Sequence, residues 1–240
     1  MARTVNVAEH AARRDEILDA AQRLILSSGY ERLTVQDILN DLHISKGAFY
    51  HYFDSKPTVI EALTTRLVDD SERALAPIAN DPGMGALKKL QAFFGEIIRW
   101  KSARQNLMVA LLPVWYAPDN LAFRLLVDRA TAKRLAPLLC VIVRQGVDEH
   151  QFATAYPDQA GSIIIAIVQA LQDAMAEQLL ATAPKVKEMV ATHGAHIEAI
   201  ERYLGVPTRT LYRADARVVN SWITALRRAD AASWKVHDEG

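Results

Sequence analysis

Residues 33–56 carry side chains whose types and spacing suit contact with a nucleic acid. In this segment, LTVQDILNDLHISKGAFYHYFDSK, Lys46 could reach a phosphate or a guanine edge. Tyr50 could donate its hydroxyl proton to a phosphate oxygen. Gly47 and Ala48 would let the backbone approach closely, and Ala48 could touch a thymine methyl group. Exposed aromatic side chains beside a lysine make a poor solvated surface, so the pattern favours a surface that enters a groove.

Two short helices joined by a tight turn are predicted to position these side chains. Thr34 begins the first helix, and Asp37 follows at capping-box spacing, although Asp reaches less well than Glu. Ser45 begins the second helix. Residues 42–44 between them form a turn with helix-turn-helix geometry. His43 stands where such turns often have Gly, and a positive φ is expected there, which His tolerates better than most residues.

The second short helix is predicted to bury an aromatic pair and to expose its other side. Phe49 and Phe53 are four residues apart and face inward. Ser55 caps a longer helix, in which Pro57 is tolerated in the first turn. Free backbone N–H groups at the helix starts near Thr34 and Ser55 bind phosphate oxygens readily. The residues expected to project outward are Ser45, Lys46, Gly47, Ala48, Tyr50 and His51.

This segment resembles the DNA-binding domain of the TetR (tetracycline-repressor) family. Members commonly read T-x-x-x-I, followed by V-S-x-G-x-[LF]-Y-x-[HY]-F-x-[SN]-K. The preceding helix, which ends at residues 26–30, also matches, and the resemblance covers about residues 12–68. The chain departs from the pattern at Leu39, Leu42 and His43, where small residues or Gly are usual. The matching residues are Thr34, Ile38, Ile44, Ser45, Gly47, Phe49, Tyr50, Tyr52, Phe53, Ser55 and Lys56.

The resemblance implies roles for individual residues. Gln36 and Lys46 correspond to positions that read bases, and Tyr52 is ambiguous between packing and contact. Taken singly, a lysine is usually a solvated charge and a tyrosine is usually half-buried. Thr34, Tyr50, His51 and Lys56 correspond to phosphate or backbone contacts. The complete set expected to contact DNA is Thr34, Gln36, Ser45, Lys46, Gly47, Ala48, Tyr50, His51 and Lys56.

Charge places a limit on how this segment could bind. Residues 1–56 contain seven basic and eight acidic residues, so non-specific affinity for phosphate should be modest. Binding would then depend on base contacts and on two copies of the chain, with half-sites about 34–36 Å apart. Arg3, Arg13 and Arg14 could reach the adjacent backbone or minor groove, or belong to an unordered tail.

The remainder of the chain also reads as helical, because apolar residues recur at helical spacing and strand signals are nearly absent. The sequence predicts an all-α protein with an N-terminal three-helix helix-turn-helix domain, residues 1–56. A larger helical bundle for ligand binding and dimerisation, residues 57–240, follows. Its predicted helices cover residues 84–104, 105–115, 119–146, 157–181 and 185–204, with a last helix after Asp215.

The two late helices are candidates for a dimer surface. The stretch 157–181 is apolar enough to face both its own core and a partner, and 185–204 carries further apolar residues. In TetR-like proteins the equivalent helices form a four-helix dimer interface, so the resemblance implies a homodimer.

Aromatic and Met residues concentrate in the middle helices, where they could simply form core. In the family the corresponding region encloses an effector pocket, which would be mostly apolar with a few polar groups. The polar candidates are Gln105, Asn106, Gln169, Gln172 and Asp173. The residues expected to line a pocket are Phe94, Met108, Trp115, Phe123 and Gln172.

Other classes of chemistry find little support. The 240 residues have zero formal net charge, and Cys140 is the single cysteine, expected to be a small buried hydrophobe. No Gly-rich phosphate loop, HExxH or GxSxG motif is present, so neither catalytic residues nor a cofactor are expected. His193 and His196 could share a metal on one helix face, but a solvated polar face is favoured. The charged start of the chain is not expected to be a signal peptide, and its uninterrupted apolar runs are short, which predicts a soluble cytosolic protein.

The favoured hypothesis is therefore a dimeric transcriptional regulator that binds a palindromic operator and is released by a small-molecule effector. An enzyme with its site in the C-terminal bundle remains an alternative. A ligand-independent DNA-binding factor, in which the bundle is only a structural core, is another.

Overall fold

A computed structural model describes residues 7–234, which form ten α-helices and a short 3-10 helix and contain no β-strand. Arg3 lies outside the described residues. The all-α prediction is thus confirmed. The helices are α1 (Val7–Ser28), α2 (Val35–Leu42), α3 (Lys46–Tyr50), α4 (Lys56–Ala79), α5 (Ala86–Ala103), α6 (Gln105–Trp115), α7 (Leu121–Asp148), α8 (Pro157–Leu180), α9 (Val186–Leu204) and α10 (Ala216–Trp234), with the 3-10 helix Pro118–Asn120 before α7.

The helix starts follow the predicted capping chemistry. The Thr34 hydroxyl accepts a hydrogen bond from the Asp37 N–H at 3.1 Å, and the Thr34 N–H donates to the Asp37 carboxylate at 2.9 Å. Ser55 forms the same reciprocal pair with Thr58 at the start of α4, whereas at α3 the Ser45 hydroxyl only accepts from the Ala48 N–H. These hydrogen bonds satisfy N–H groups that the first turn of a helix leaves without partners. They therefore set where each helix of the N-terminal region begins.

The turn between α2 and α3 has the conformation that its sequence predicted. His43 adopts φ 52° and ψ 43°, the left-handed region, and its N–H bonds back to Asn40 and Leu39 carbonyls. Gly29 ends α1 with φ 85°, as expected for a C-terminal cap.

The N-terminal core is larger than the helix-turn-helix segment. Apolar side chains of α1, α2 and α3 pack against the first half of α4, as far as Leu67. Leu107 and Leu111 of α6 complete this core from the C-terminal part of the chain. The predicted boundary between residues 56 and 57 falls at the start of α4, which runs unbroken from Lys56. The division into two domains stays a prediction.

A second core joins α4, α5, α7, α8 and α9. The backbones of α7 and α8 approach closely at Gly161, where an added Cβ would lie 2.0 Å from the Ala136 carbonyl oxygen. A third cluster links α6, α9 and α10 around Val109, Met189 and Val219. These packed helices surround the cavity described below.

Two expectations from the sequence need correction. Cys140 is half-buried and not a core residue, and its thiol lies 3.3 Å from the Asp158 carbonyl oxygen, across the α7–α8 contact. The helix predicted to begin at residue 119 begins at Leu121, because Pro118–Asn120 close a tighter 3-10 turn first.

Among the described helices, Pro157–Leu180 is long and apolar enough to cross a membrane by length and composition alone. The sequence-based expectation had considered only uninterrupted apolar runs. In the fold this helix packs against α7 and α9, yet only 28% of the residues in its apolar 18-residue stretch are buried.

Candidate nucleic-acid interface and apolar cavity

The exposed side of α3 is built as the sequence predicted. Phe49 is fully buried and Phe53 is 5% exposed, which anchors α3 to the core. Lys46 and Tyr50 project outward, with the Lys46 ammonium 5.9 Å from the centre of the Tyr50 ring. Gly47 is also exposed, and an added Cβ there would meet only the Ser45 hydroxyl oxygen, at 4.0 Å. We call Lys46, Gly47, Ala48, Tyr50 and His51 the α3 surface.

Two further residues predicted to contact DNA lie at the start of α2: Gln36 on the helix and Thr34 just before it. Thr34 and Gln36 are exposed. The Gln36 side-chain amide donates to Asn40 at 2.8 Å, one turn along the same helix. This bond orients the Gln36 amide through its nitrogen and does not involve its carbonyl oxygen.

A cluster of aromatic rings joins α1 to the end of the α3 surface. His10 lies with its ring centre 5.5 Å from that of His51 and 4.6 Å from that of Tyr52. Tyr52 is half-buried in this cluster, so its packing role is evident. His10 was not predicted as part of the site, because a lone histidine in the first turns of a helix carries no sequence signal.

Lys56 is engaged by its own chain at the start of α4. Its ammonium lies 3.9 Å from the centre of the Tyr30 ring and 3.4 Å from the Glu31 carbonyl oxygen. Burial lowers the pKa of Lys56, and the Glu31 carboxylate opposes that shift. The side chain is therefore held against Tyr30 and Glu31 and does not extend freely into solvent.

The basic residues of α1 already have partners. Arg13 pairs with Glu16, and the Arg14 guanidinium lies 5.1 Å from the centre of the Phe53 ring. Arg23 binds Asp41 of α2 at 2.6 Å. These contacts explain how α1 holds the helix-turn-helix in place while adding little free positive charge.

An apolar cavity of about 380 Å³ lies within the C-terminal helices. Four of the five residues predicted to line a pocket do so: Phe94, Met108, Trp115 and Gln172. Phe123 does not line it, although the next residue of α7, Arg124, does. Of the other polar candidates Gln169 also lines the cavity, whereas Gln105 and Asn106 border a separate small depression.

Two helices connect this cavity to the N-terminal core. Leu67 of α4 belongs to that core and lines the cavity, and α4 continues along the cavity as far as Leu75. On α6, Leu107 and Leu111 enter the N-terminal core while Met108 lines the cavity. An occupant of the cavity would therefore touch the elements against which α1 to α3 pack.

One polar group of the cavity lies beyond the end of α6. The Tyr116 hydroxyl donates to the Asp173 carboxylate at 2.9 Å, and Arg124 lies 4.8 Å from the centre of the Tyr116 ring. Burial raises the pKa of Asp128, the nearby Asp173 raises it further, and Arg124 opposes the shift. Gln169 donates to the Asp128 carbonyl at 2.8 Å. At this end Asp128 and Arg124 line the cavity, while Asp173 lies outside the lining and is held by Tyr116.

The other polar group lies before α6. Sequence reasoning missed Lys101, and its placement of His193 on a solvated polar face is wrong, because His193 lines the cavity. Lys101 and His193 both line the cavity. Burial lowers the pKa of Lys101 to about 8. It also lowers the pKa of His193 to about 4, helped by the positive charges of Lys101, His196 and Arg213. Lysine is usually solvated, so its presence here had no signal in the sequence. Within residues 7–234, no group of three or more His, Cys, Asp or Glu side chains could hold a metal ion.

The fold and the site together define an all-α protein with an N-terminal helix-turn-helix and a helical body that encloses an apolar cavity. Residues 17–63 match the family model described as "Bacterial regulatory proteins, tetR family". This match assigns the N-terminal helix-turn-helix region of the chain to that family's DNA-binding domain.

Named relatives agree with that assignment. The chain is 33% identical over 82 residues to the HTH-type transcriptional repressor Rv1474c of Mycobacterium tuberculosis, which covers 34% of the chain and 42% of that protein. It is 30% identical over 139 residues to the HTH-type transcriptional regulator AlkX of the same organism, which covers 54% of the chain and 63% of that protein. The chain thus spans less than two thirds of either relative. Both are named as transcriptional regulators and not as enzymes, in agreement with the sequence-based expectation.

Solved structures show the same fold over most of the chain. A transcriptional regulator from Cytophaga hutchinsonii matches with a TM-score of 0.57 and 14% identity, covering 88% of this chain and 96% of that one. A TetR/AcrR-family regulator from Thermobifida fusca matches with a TM-score of 0.51 and 19% identity, covering 90% and 96%. At such identities the likeness establishes the architecture alone.

Proposed function

We propose that this protein is a cytoplasmic transcriptional repressor that binds a palindromic DNA operator as a homodimer and is released by a small-molecule effector. The observation that carries the proposal is the α3 surface. A buried aromatic pair anchors a short helix whose opposite side exposes Lys46, Gly47 and Tyr50. This arrangement suits insertion into the major groove, where side chains reach base edges and flanking helix starts contact phosphates.

The other predicted contacts support the same placement. Thr34 and Gln36 lie at the start of α2, and His51 and Lys56 lie beyond the C-terminal end of α3. The helix starts at α2 and α4 would bind phosphates on either side of the inserted helix, which fixes its register. With few uncompensated charges on α1, sequence-specific contacts from two subunits would supply most of the affinity.

The outer faces of α8 and α9 support a dimer. Ile163, Ala166 and Ala170 form an exposed stripe along α8. Ala191, Ala195 and Ala199 form a second stripe at i, i+4 spacing along α9. Small and apolar side chains in such rows permit close packing of helices, and an apolar helix that is mostly unburied in one chain gains from a partner. Two copies related by a two-fold axis would cover both stripes.

Effector response would act through α4. This helix begins beside α3, passes through the N-terminal core and lines the cavity from Thr64 to Leu75. A ligand that favours one position of α4 would shift the N-terminal regions of the two subunits relative to each other. A dimer with altered spacing fits its two half-sites less well, which lowers operator affinity.

The experiment that tests this function is selection of bound sequences from random duplex DNA with the purified full-length chain at a stated salt concentration. We expect enrichment of a palindrome of two half-sites, because two related α3 surfaces would read it. No enrichment by a folded, dimeric protein would contradict the proposal.

The two alternative hypotheses are separated by simple assays. Turnover of a substrate by the purified protein would support an enzyme. Operator binding that no small molecule alters would support a ligand-independent factor in which the cavity has no occupant.

A further inference from the structure

Hydrogen-bond donors without partners accumulate in the cavity before α6. Lys101 lines the cavity, and no described residue pairs with its ammonium group. The indole N–H of Trp100, another lining residue, is buried without an acceptor. Unpaired donors in an apolar environment cost free energy that a bound acceptor would recover.

His193 adds a third donor to this end. Its Nδ1 atom accepts a hydrogen bond from the Ala214 N–H at 3.3 Å. Because burial keeps the ring neutral near neutral pH, this bond places the ring proton on Nε2. A neutral histidine in this tautomer offers an N–H donor and carries no charge.

The neighbouring arginine does not compete for an incoming anion. The Arg213 guanidinium binds the buried Glu201 carboxylate at 2.7 Å and lies 3.6 Å from Glu198. Its charge is therefore compensated within the protein. Lys101 is the cation of this end that has no counter-charge among the described residues.

The opposite end of the cavity disfavours a second anionic group. Asp128 lines the cavity beside Arg124 there, and Asp173, which lies outside the lining, accepts the Tyr116 hydroxyl proton. The two ends are separated by α6, whose 11 residues span about 16 Å. Between them the lining is apolar, with Val109 and Leu112 among its residues.

We infer that the effector is an amphipathic monocarboxylate, whose carboxylate binds Lys101 and the His193 Nε2–H and whose apolar body lies along α6. The inference rests on the proposed function for the role of effector, but ligand binding itself needs no DNA. A single carboxylate supplies the missing counter-charge and acceptors, and an apolar chain fills the remainder of the cavity. Binding thus gives Lys101 a counter-charge and the His193 ring N–H an acceptor.

The test is calorimetric titration of the full-length protein with laurate, methyl laurate and dodecylamine in the absence of DNA. We expect laurate to bind and the ester and amine to bind much more weakly. Lys101→Met should lower laurate affinity about tenfold or more, because an ionic hydrogen bond is lost, while leaving the ester unchanged. Lys101→Arg keeps the positive charge and should retain most of the preference for the acid.

Lys88→Met is the matched control, since Lys88 is exposed on the same helix and should have no effect. Equal affinity for laurate and its methyl ester, preference for the amine, or an unchanged preference in a folded Lys101→Met protein would overturn the inference. Repetition with octanoate and palmitate covers other lengths, and failure of all three acids to bind would also overturn it. A palindrome recovered from random DNA alongside such a failure would leave the proposed repressor intact. Acid binding without DNA enrichment would instead contradict only the repressor.

Discussion

Lys46 and Tyr50 lie side by side on the α3 surface, yet we expect their substitution to have different consequences. Lys46→Ala removes a base contact, so affinity for the selected operator should fall by about 1–3 kcal/mol and preference at one base position should relax. Tyr50→Phe removes only a hydroxyl directed at phosphate, so binding should weaken by a similar factor on every sequence. Fluorescence anisotropy with operator and single-base variants measures both effects.

The matched control for Lys46→Ala and Tyr50→Phe is Lys88→Met. Lys88 lies on α5, far along the chain, so its substitution should not alter DNA binding. Unchanged selectivity in Lys46→Ala would refute the base contact. A Tyr50→Phe effect confined to a single base position would refute the phosphate contact.

Glu201 is a fully buried carboxylate that organises the connection between α9 and α10. It accepts hydrogen bonds from the Leu211 N–H at 2.8 Å, the Arg209 N–H at 3.1 Å and the Arg213 guanidinium at 2.7 Å. Burial raises the pKa of Glu201, but these hydrogen bonds and the Arg213 charge outweigh it, so the pKa lies below its ordinary value of 4.5. The ionised form is therefore the one that stabilises the fold.

Glu201→Gln should lower the free energy of unfolding at neutral pH by about 3 kcal/mol, because an amide cannot accept all three donors. Since the folded-state pKa is depressed, this contribution is present above pH 4.5 and is lost as pH falls through the lower folded-state value. Urea denaturation at neutral and acidic pH checks both statements. Glu188→Gln breaks only an exposed pair with Lys185 and should change stability by less than about 1 kcal/mol. A deficit in Glu201→Gln that stays constant in acid would contradict the assignment.

At the scale of the helices, the packing of α7 against α8 can be tested directly. An alanine Cβ at position 161 would lie 2.0 Å from the Ala136 carbonyl oxygen and 2.8 Å from the Cys140 sulfur. Because backbone cannot move aside cheaply, Gly161→Ala should destabilise the protein by about 1–3 kcal/mol. Thermal and urea unfolding measure the loss.

Gly95 provides a control for the backbone effect of the same substitution. It lies within α5, and an added Cβ there would meet no atom within 4 Å. Gly95→Ala should therefore be neutral or stabilising by up to about 1 kcal/mol. Equal effects of the two substitutions would show that α7 and α8 are less closely packed than described.

At the scale of the whole molecule, the exposed alanines of α8 and α9 test the proposed dimer. Glutamate at Ala166 or Ala195 would place a charge within the helix contact, where it would be buried without a partner. Ala166→Glu and Ala195→Glu should yield a folded monomer with reduced operator affinity. Sedimentation velocity measures the mass, and circular dichroism confirms the helical fold.

Ala103→Glu is the corresponding control, since Ala103 is exposed at the end of α5 and belongs to neither stripe. It should leave the mass of the dimer unchanged, because single surface substitutions are usually well tolerated. Retention of the dimer in both glutamate variants would place the subunit contact elsewhere.

Local chemistry in the sequence was sufficient to predict the helix-turn-helix. Capping at Thr34, Ser45 and Ser55, the positive φ of His43 and the inward Phe49 depend on residues within a few positions of one another. Hydrophobic periodicity likewise located the later helices to within a few residues. These features follow from hydrogen bonds and helical spacing, which a single sequence displays directly.

Tertiary structure decided which distant residues share an environment. Lys101 and His193 come from α5 and α9, and only the packing of α6 and α10 around them creates an apolar cavity with unpaired donors. The same is true of His10 against His51, and of Phe123, which the fold leaves outside the cavity. Burial and charge compensation depend on contacts between elements far apart in the chain, so their effects on pKa, packing and ligand chemistry emerge only when those elements meet.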